Sequence, residues 1–212
     1  MFFVSTGRCG TKRVAEILQQ VLPSAYSVMH QTKYARLANI LGNMRYYFPV
    51  FAHLTEPLYY YIMKKNSRDG SHIISTDPLT SMIIPEALIK SPSTAIIHIV
   101  RDEDAFARSI YRFTRTRKKS FIAHNMIPLW QPSLWPLENL MSKSILEKYR
   151  KIHRQKNIYL SKRYAENPNY KKVTMEKIFS NGFLSQLVSG FFKHDISIPL
   201  ADLKIKANAT LP

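Results

Sequence analysis

Phe2-Phe3-Val4-Ser5-Thr6-Gly7-Arg8-Cys9-Gly10-Thr11-Lys12-Arg13 reads as a short buried strand, a tight basic turn and the first turn of a helix. Val14, Ile17, Leu18, Val21 and Leu22 follow at three- and four-residue steps, which is the helical period. A strand that feeds a small-residue turn into a helix N-terminus makes an anion site. The first-turn amides lack intrahelical partners, and the helix dipole favours negative charge there. Arg8, Lys12 and Arg13 add positive side chains. The expected ligand is phosphate-like or sulfate-like. A magnesium-dependent nucleotide loop of the form G-x-x-x-x-G-K-[ST] does not fit: Gly7 and Gly10 are too close together, and Arg13 follows Lys12 where a hydroxyl would hold the metal.

A second segment has the same form. Residues 95–100 are an apolar run, Ala-Ile-Ile-His-Ile-Val, and a helix is expected from Glu103. Arg101 stands at the strand end, and Ser109 lies eight residues on, about two helical turns in. The guanidinium fork meets phosphate oxygens bidentately, and a serine hydroxyl adds one donor.

Outward from these two segments the chain alternates strand and helix. Strands are expected at 2–4, 26–29, 72–75, 95–100 and 172–175. Helices are expected at 11–22, 33–41, 45–65 with a break at Pro57, 79–90, 103–114, 137–164 and 182–193. Short apolar strands between helices indicate a parallel sheet covered on both faces. The expected fold is therefore α/β, a three-layer sandwich with a central parallel sheet of about five strands, in one domain spanning 1–212. Such sheets bind ligands at the carboxyl ends of their strands. That edge would gather Gly7–Thr11, His30-Gln31, Asp77 and Arg101. Residues 115–136 read as irregular, with Trp130 and Trp135 among prolines. This loop would either cover a substrate or pin two tryptophans into the core. The 137–164 helix carries Lys148, Arg150, Lys151, Arg154, Lys156, Lys162 and Arg163 as a basic outer face, solvated or set against a polyanion or acidic lipid.

Both anion motifs resemble the sulfotransferase family, whose P-loop-like turn and later Arg/Ser pair bind 3′-phosphoadenosine 5′-phosphosulfate (PAPS). Lys172–Ile178 is a fainter echo of that family's late strand and acidic turn, with Thr174-Met175 in place of the usual aromatic and Lys177 in place of an acid. The resemblance implies a P-loop NTPase-like fold and sulfuryl transfer from PAPS to a hydroxyl of a carbohydrate, lipid or small molecule, with no metal. Arg8, Cys9, Gly10, Thr11 and Lys12 would cradle the 5′-phosphosulfate, with Arg8 near the bridging oxygen. Arg101 and Ser109 would grip the 3′-phosphate. The family's base is a Glu or His after the second strand. Gln31 cannot take a proton and histidine can, so His30 is the expected base, with Asp77 as the alternative.

Composition bounds the alternatives. The chain has 212 residues, 45% of them hydrophobic, enough for one buried core. Its 31 Lys and Arg against 14 Asp and Glu give +17, which points to acidic partners: an anionic acceptor, a glycan, an anionic membrane surface or nucleic acid. Nucleic acid is disfavoured because no helix-turn-helix, zinc-finger or RNP-like signature occurs. A kinase-like enzyme is opposed by the missing Lys-Ser/Thr pair. Cys9 is the sole cysteine, so no intrachain disulfide forms, and its basic surroundings suggest a favoured thiolate. No run of 18 apolar residues occurs, and the chain starts in a strand without a secretory signal, so a cytoplasmic protein is expected, with membrane association left open.

Overall fold

The computed structural model describes residues 1–131, 144–180 and 182–192. Five strands form one parallel sheet: β1 (Phe2–Val4), β2 (Tyr26–Met29), β3 (His72–Ser75), β4 (Ile96–Val100) and β5 (Tyr170–Thr174). Their order is β2-β3-β1-β4-β5. Phe2 of β1 registers with Ser75 on one side and Ile96 on the other. The chain leaves β1 toward β2 and later crosses β1 to reach β4. That reversal opens a crevice above the carboxyl ends of the central strands.

Two apolar layers cover the sheet because successive strand residues face opposite sides. Phe3, Ile97 and Ile99 pack with Val14, Ile17 and Leu18 of α1 (Thr11–Val21). Phe2, Val4 and Ile96 face the other way. They meet residues of α2 (Ala35–Tyr47), α3 (Ala52–Asn66) and α7 (Ile145–Tyr164), among them Ala38, Tyr59, Ile62 and Leu160. The remaining helices are α4 (Glu86–Lys90), α5 (Glu103–Arg115), α6 (Lys118–Asn125), α8 (Met175–Ile178) and α9 (Phe183–Phe192). Among the described residues no helix is long and apolar enough to cross a membrane.

The α/β fold expected from the sequence is the observed one, and several boundaries are corrected. The break expected at Pro57 lies instead at Phe48-Pro49, where a 3-10 turn (Pro49–Phe51) separates α2 from α3. Pro57 sits inside α3. It and His53, the residue whose carbonyl it leaves unpaired, are both exposed, so water can take that carbonyl. The helix expected over 79–90 forms only at Glu86–Lys90. Pro85 is extended at its N-cap, and the Asp77 carboxylate takes the Leu79 amide into a turn (3.0 Å). The irregular 115–136 stretch contains α6, whose eight residues hold no proline. The long helix starts at Ile145, where the Ser144 hydroxyl accepts from the Glu147 amide (3.1 Å). Residues 137–143 and Trp135 lie outside the described residues.

The basic outer face expected on α7 is only partly outside. Lys148 and Lys156 are buried, at 6% and 4% exposure. Arg150, Arg154 and Arg163 pair with Asp104, Glu103 and Glu86.

Candidate functional site

The turn after β1 is built on left-handed backbone. Gly7, Arg8 and Gly10 have φ of 85°, 55° and 78°. Glycine adopts that region freely, whereas Arg8 holds it at a strain of about 1 kcal/mol. Gly10 is required twice, because a Cβ there would also lie 2.6 Å from the Phe179 ring just beyond α8. Ser5 anchors the turn: its amide donates to Ser81 Oγ (3.2 Å), and its hydroxyl accepts from the Gly7 amide (3.1 Å). No side chain caps α1, and no acidic residue stands in its first turn, so the anion-binding end of the helix is left open.

The second motif meets the first directly. Arg101 Nη1 donates to the Arg8 carbonyl (2.9 Å), and Arg8 Nε donates to Ser109 Oγ (3.3 Å). The Arg8 and Arg117 guanidiniums each lie 4.8 Å from the Phe113 ring centroid. Lost hydration, then the like charges of Arg101, Arg117 and Arg112, push the Arg8 guanidinium below its ordinary pKa. Arg101 Nε is buried without a hydrogen-bond partner. Cations so placed, with no carboxylate against Arg8 or Arg101 among the described residues, suit an anionic ligand.

Two further pieces sit on the same edge. His30 follows β2, and its Nδ1 lies 3.1 Å from both the Thr76 carbonyl and Thr76 Oγ1. The Thr76 hydroxyl itself donates to the Met29 carbonyl (3.1 Å). Nδ1 must therefore carry the proton, which leaves the Nε2 lone pair free to accept one. Asp77, 1% exposed, accepts from the Thr32 amide (2.8 Å), the Thr32 hydroxyl (3.0 Å) and the Leu79 amide. It ties the turn after β2 to the turn after β3. Adjacent strands lie about 4.8 Å apart, so the ends of β2 and β4 stand about 14 Å apart across the crevice.

Other expected site residues take different positions. Thr11 is buried at the start of α1. Lys12 is exposed and reaches Glu16 (3.6 Å), so its ammonium lies along the outside of α1. The thiolate expected at Cys9 is overturned. The side chain is fully buried, Sγ donates to the Gly7 carbonyl (3.1 Å), and burial pushes the thiol up. Trp130 is pinned through its backbone, since Asn39 Nδ2 donates to its carbonyl (2.8 Å) and Asn43 Nδ2 to that of Leu129 (2.6 Å).

Sequence reasoning missed the contribution of α7. His153 stacks on Phe106 with centroids 4.2 Å apart and joins both motifs. Its Nε2 donates to the Arg101 carbonyl (2.9 Å), so its Nδ1 accepts from the Thr6 hydroxyl (2.8 Å). Burial holds it below the usual histidine pKa. Below it, Asn157 Oδ1 accepts from His98 Nε2 (2.9 Å), and Tyr170 donates to His98 Nδ1 (2.9 Å). Lys156 lies on the same face. The signal was present: Tyr149, Ile152, Lys156, Leu160 and Tyr164 recur at helical spacing, which places a lysine in an apolar stripe.

A separate groove of about 400 Å³ lies at the β5 edge, among Lys171, Lys172, Lys177 and Phe183. None of the crevice residues lines it.

No protein-family model matches the chain, and no curated protein matches it in sequence. Among solved structures it is similar to the sulfotransferase from Alicyclobacillus acidocaldarius, with a TM-score of 0.56 and 15% sequence identity. The match covers 98% of this chain and 86% of that one. A likeness at that identity establishes a shared fold.

Proposed function

We propose that this chain is a PAPS-dependent sulfotransferase acting on a hydroxyl acceptor. The observation that carries the reading is the junction of the two anion motifs. Arg101 bonds the Arg8 carbonyl, Arg8 bonds Ser109, and Arg101 retains a buried, unpartnered Nε. This donor set fits a ligand bearing phosphate at two points: an open helix N-terminus for one, and an Arg/Ser pair for the other. The fold shared with a bacterial sulfotransferase supports the same reading.

The phosphosulfate supplies an activated sulfuryl group, whose bond to the bridging oxygen breaks as an acceptor oxygen bonds to sulfur, the electron pair leaving on 3′-phosphoadenosine 5′-phosphate. The chain's residues position the reactants and offset charge. The amides of Cys9, Gly10, Thr11 and Lys12 hold the 5′ end. Arg8 neutralises charge growing on the bridging oxygen. Arg101 and Ser109 select the 3′-phosphate. His30, its tautomer set by Thr76, takes the acceptor proton on Nε2. Asp77 has both oxygens engaged in holding the β2 and β3 turns, so we assign it a positioning task. The acceptor enters from the β2–β3 side, over His30.

The test is thermal unfolding with chelator present. 3′-phosphoadenosine 5′-phosphate should stabilise the protein well beyond AMP, ATP or an oligonucleotide, and ³⁵S-labelled PAPS should label a hydroxylic acceptor in a panel of phenols, sterols and sugars. Equal stabilisation by ATP would reject the reading, and an oligonucleotide preference would favour a nucleic-acid binder.

A further inference from the structure

Lys156 lies on α7 one turn beyond His153, and residues three or four apart on a helix share a face. That face is fixed by His153 against Thr6 and the Arg101 carbonyl, and by Asn157 against His98. The lysine therefore enters the space between the Ser5–Gly10 turn and the end of β3. The groups acting on it place it there too: Cys9 from the anion turn and Asp77 from the turn after β3, while it acts in turn on His98 of β4 and His124 of α6.

The side chain is 4% exposed, and its ammonium makes no hydrogen bond or ion pair with a described residue. The other cations on α7 behave differently. Lys148, also buried, donates to Asn125 Oδ1 (3.1 Å), and Arg150, Arg154 and Arg163 meet carboxylates. Asp77 is taken up by Thr32 and Leu79. A lysine so enclosed, whose ammonium has no anionic partner among the described residues, is costly unless a ligand reaching its tip completes it.

We propose that Lys156 is a ligand-binding residue whose ammonium receives the transferable sulfonate end of bound phosphosulfate, on the β3 side of the anion turn. This rests on the sulfotransferase reading above. Lys156 then distinguishes the donor from its desulfated product, whereas Arg101 and Ser109 bind both alike.

Burial brings the Lys156 pKa down to about 8, so the charge is present at pH 7 and fades above pH 8. The groups facing it do not interfere: burial holds His98 and His124 at about 4 and lowers His153, burial raises the Cys9 thiol, and the Asp77 carboxylate is held by Thr32 and Leu79.

The experiment is calorimetric titration of the full chain with PAPS and with 3′-phosphoadenosine 5′-phosphate, without acceptor. Lys156→Met should weaken PAPS by about 10-fold or more, the value of a buried charged hydrogen bond, and shift the desulfated nucleotide less than about twofold. In the unsubstituted protein, the affinity for PAPS relative to the desulfated nucleotide should fall about 5-fold from pH 7 to pH 9, and in Lys156→Met that ratio should stay flat. A variant that weakens both nucleotides alike, or neither, overturns the assignment. If the variant does not fold, the pH series decides alone, and a constant ratio overturns it. An unsubstituted protein that binds neither nucleotide refutes the underlying sulfotransferase reading before any variant is made.

Discussion

Acidification should destabilise this protein through His98 before its carboxylates titrate. The imidazole is fully buried in β4, with Nε2 donating to Asn157 and Nδ1 accepting from Tyr170. Burial is the largest influence and lowers its pKa from 6.5 to about 4. In the unfolded chain the ring takes a proton near pH 6.5; in the folded chain it stays neutral until about pH 4. Stability from the neutral ring is therefore complete above 6.5 and is lost as pH falls toward 4. From those two values, the loss between pH 7 and pH 5 is about 2 kcal/mol for this one histidine. His124, also lowered to about 4 by burial, adds a parallel loss. The assay is urea unfolding at pH 7, 6 and 5, with His98→Gln as the control. The variant should start less stable and lose about 2 kcal/mol less over the interval. A variant with the slope of the unsubstituted protein, or an unsubstituted protein equally stable at pH 7 and pH 5, would show that His98 does not stay neutral in the fold.

Three further outcomes are expected. Gly10→Ala should cost about 2–4 kcal/mol in chemical denaturation, from the left-handed backbone and the clash with Phe179, and Phe179→Leu should restore part of it; a neutral Gly10→Ala contradicts the loop geometry. His30→Ala should lower sulfuryl transfer by about 10²–10⁴-fold while nucleotide affinity measured by calorimetry stays unchanged; retained turnover removes His30 from the base role. Asp77→Ala should lower stability by about 3 kcal/mol, the worth of three hydrogen bonds, and a thermal midpoint like that of the unsubstituted protein would show that the β2 and β3 turns do not depend on it.

The parts of the fold legible in sequence are those fixed by local pattern. The apolar runs at β1 and β4 cannot be half-exposed, so both had to be central, and the observed order puts them side by side. Gly7 and Gly10 marked a turn of special backbone, and both have positive φ. Arg8 could be named because it stands in the basic turn after β1, and Arg101 and Ser109 because residues 95–113 resemble the sulfotransferase family's second motif. Illegible features depended on tertiary partners. A count of charges along α7 cannot show that Lys148 and Lys156 turn inward, because lysine is ordinarily a surface residue and only tertiary packing, such as that of Lys148 on Asn125 of α6, decides otherwise. Asp77 read as an alternative base; its three donors come from segments up to 45 residues away. Cys9 was misjudged for the same reason. Neighbouring positive charge argued for a thiolate, but complete burial outweighs it.

In the proposed function, Arg101 and the turn around Arg8 form one nucleotide cradle that recognises a 3′-phosphate. Calorimetry of 3′-phosphoadenosine 5′-phosphate against AMP, in the unsubstituted protein and in Arg101→Ala, tests it most directly. The expected result is a preference of about 10-fold or more for the 3′-phosphorylated nucleotide that collapses to near unity in Arg101→Ala, with weak AMP binding unchanged. A preference that survives the loss of Arg101, or one absent from the unsubstituted protein, would contradict it.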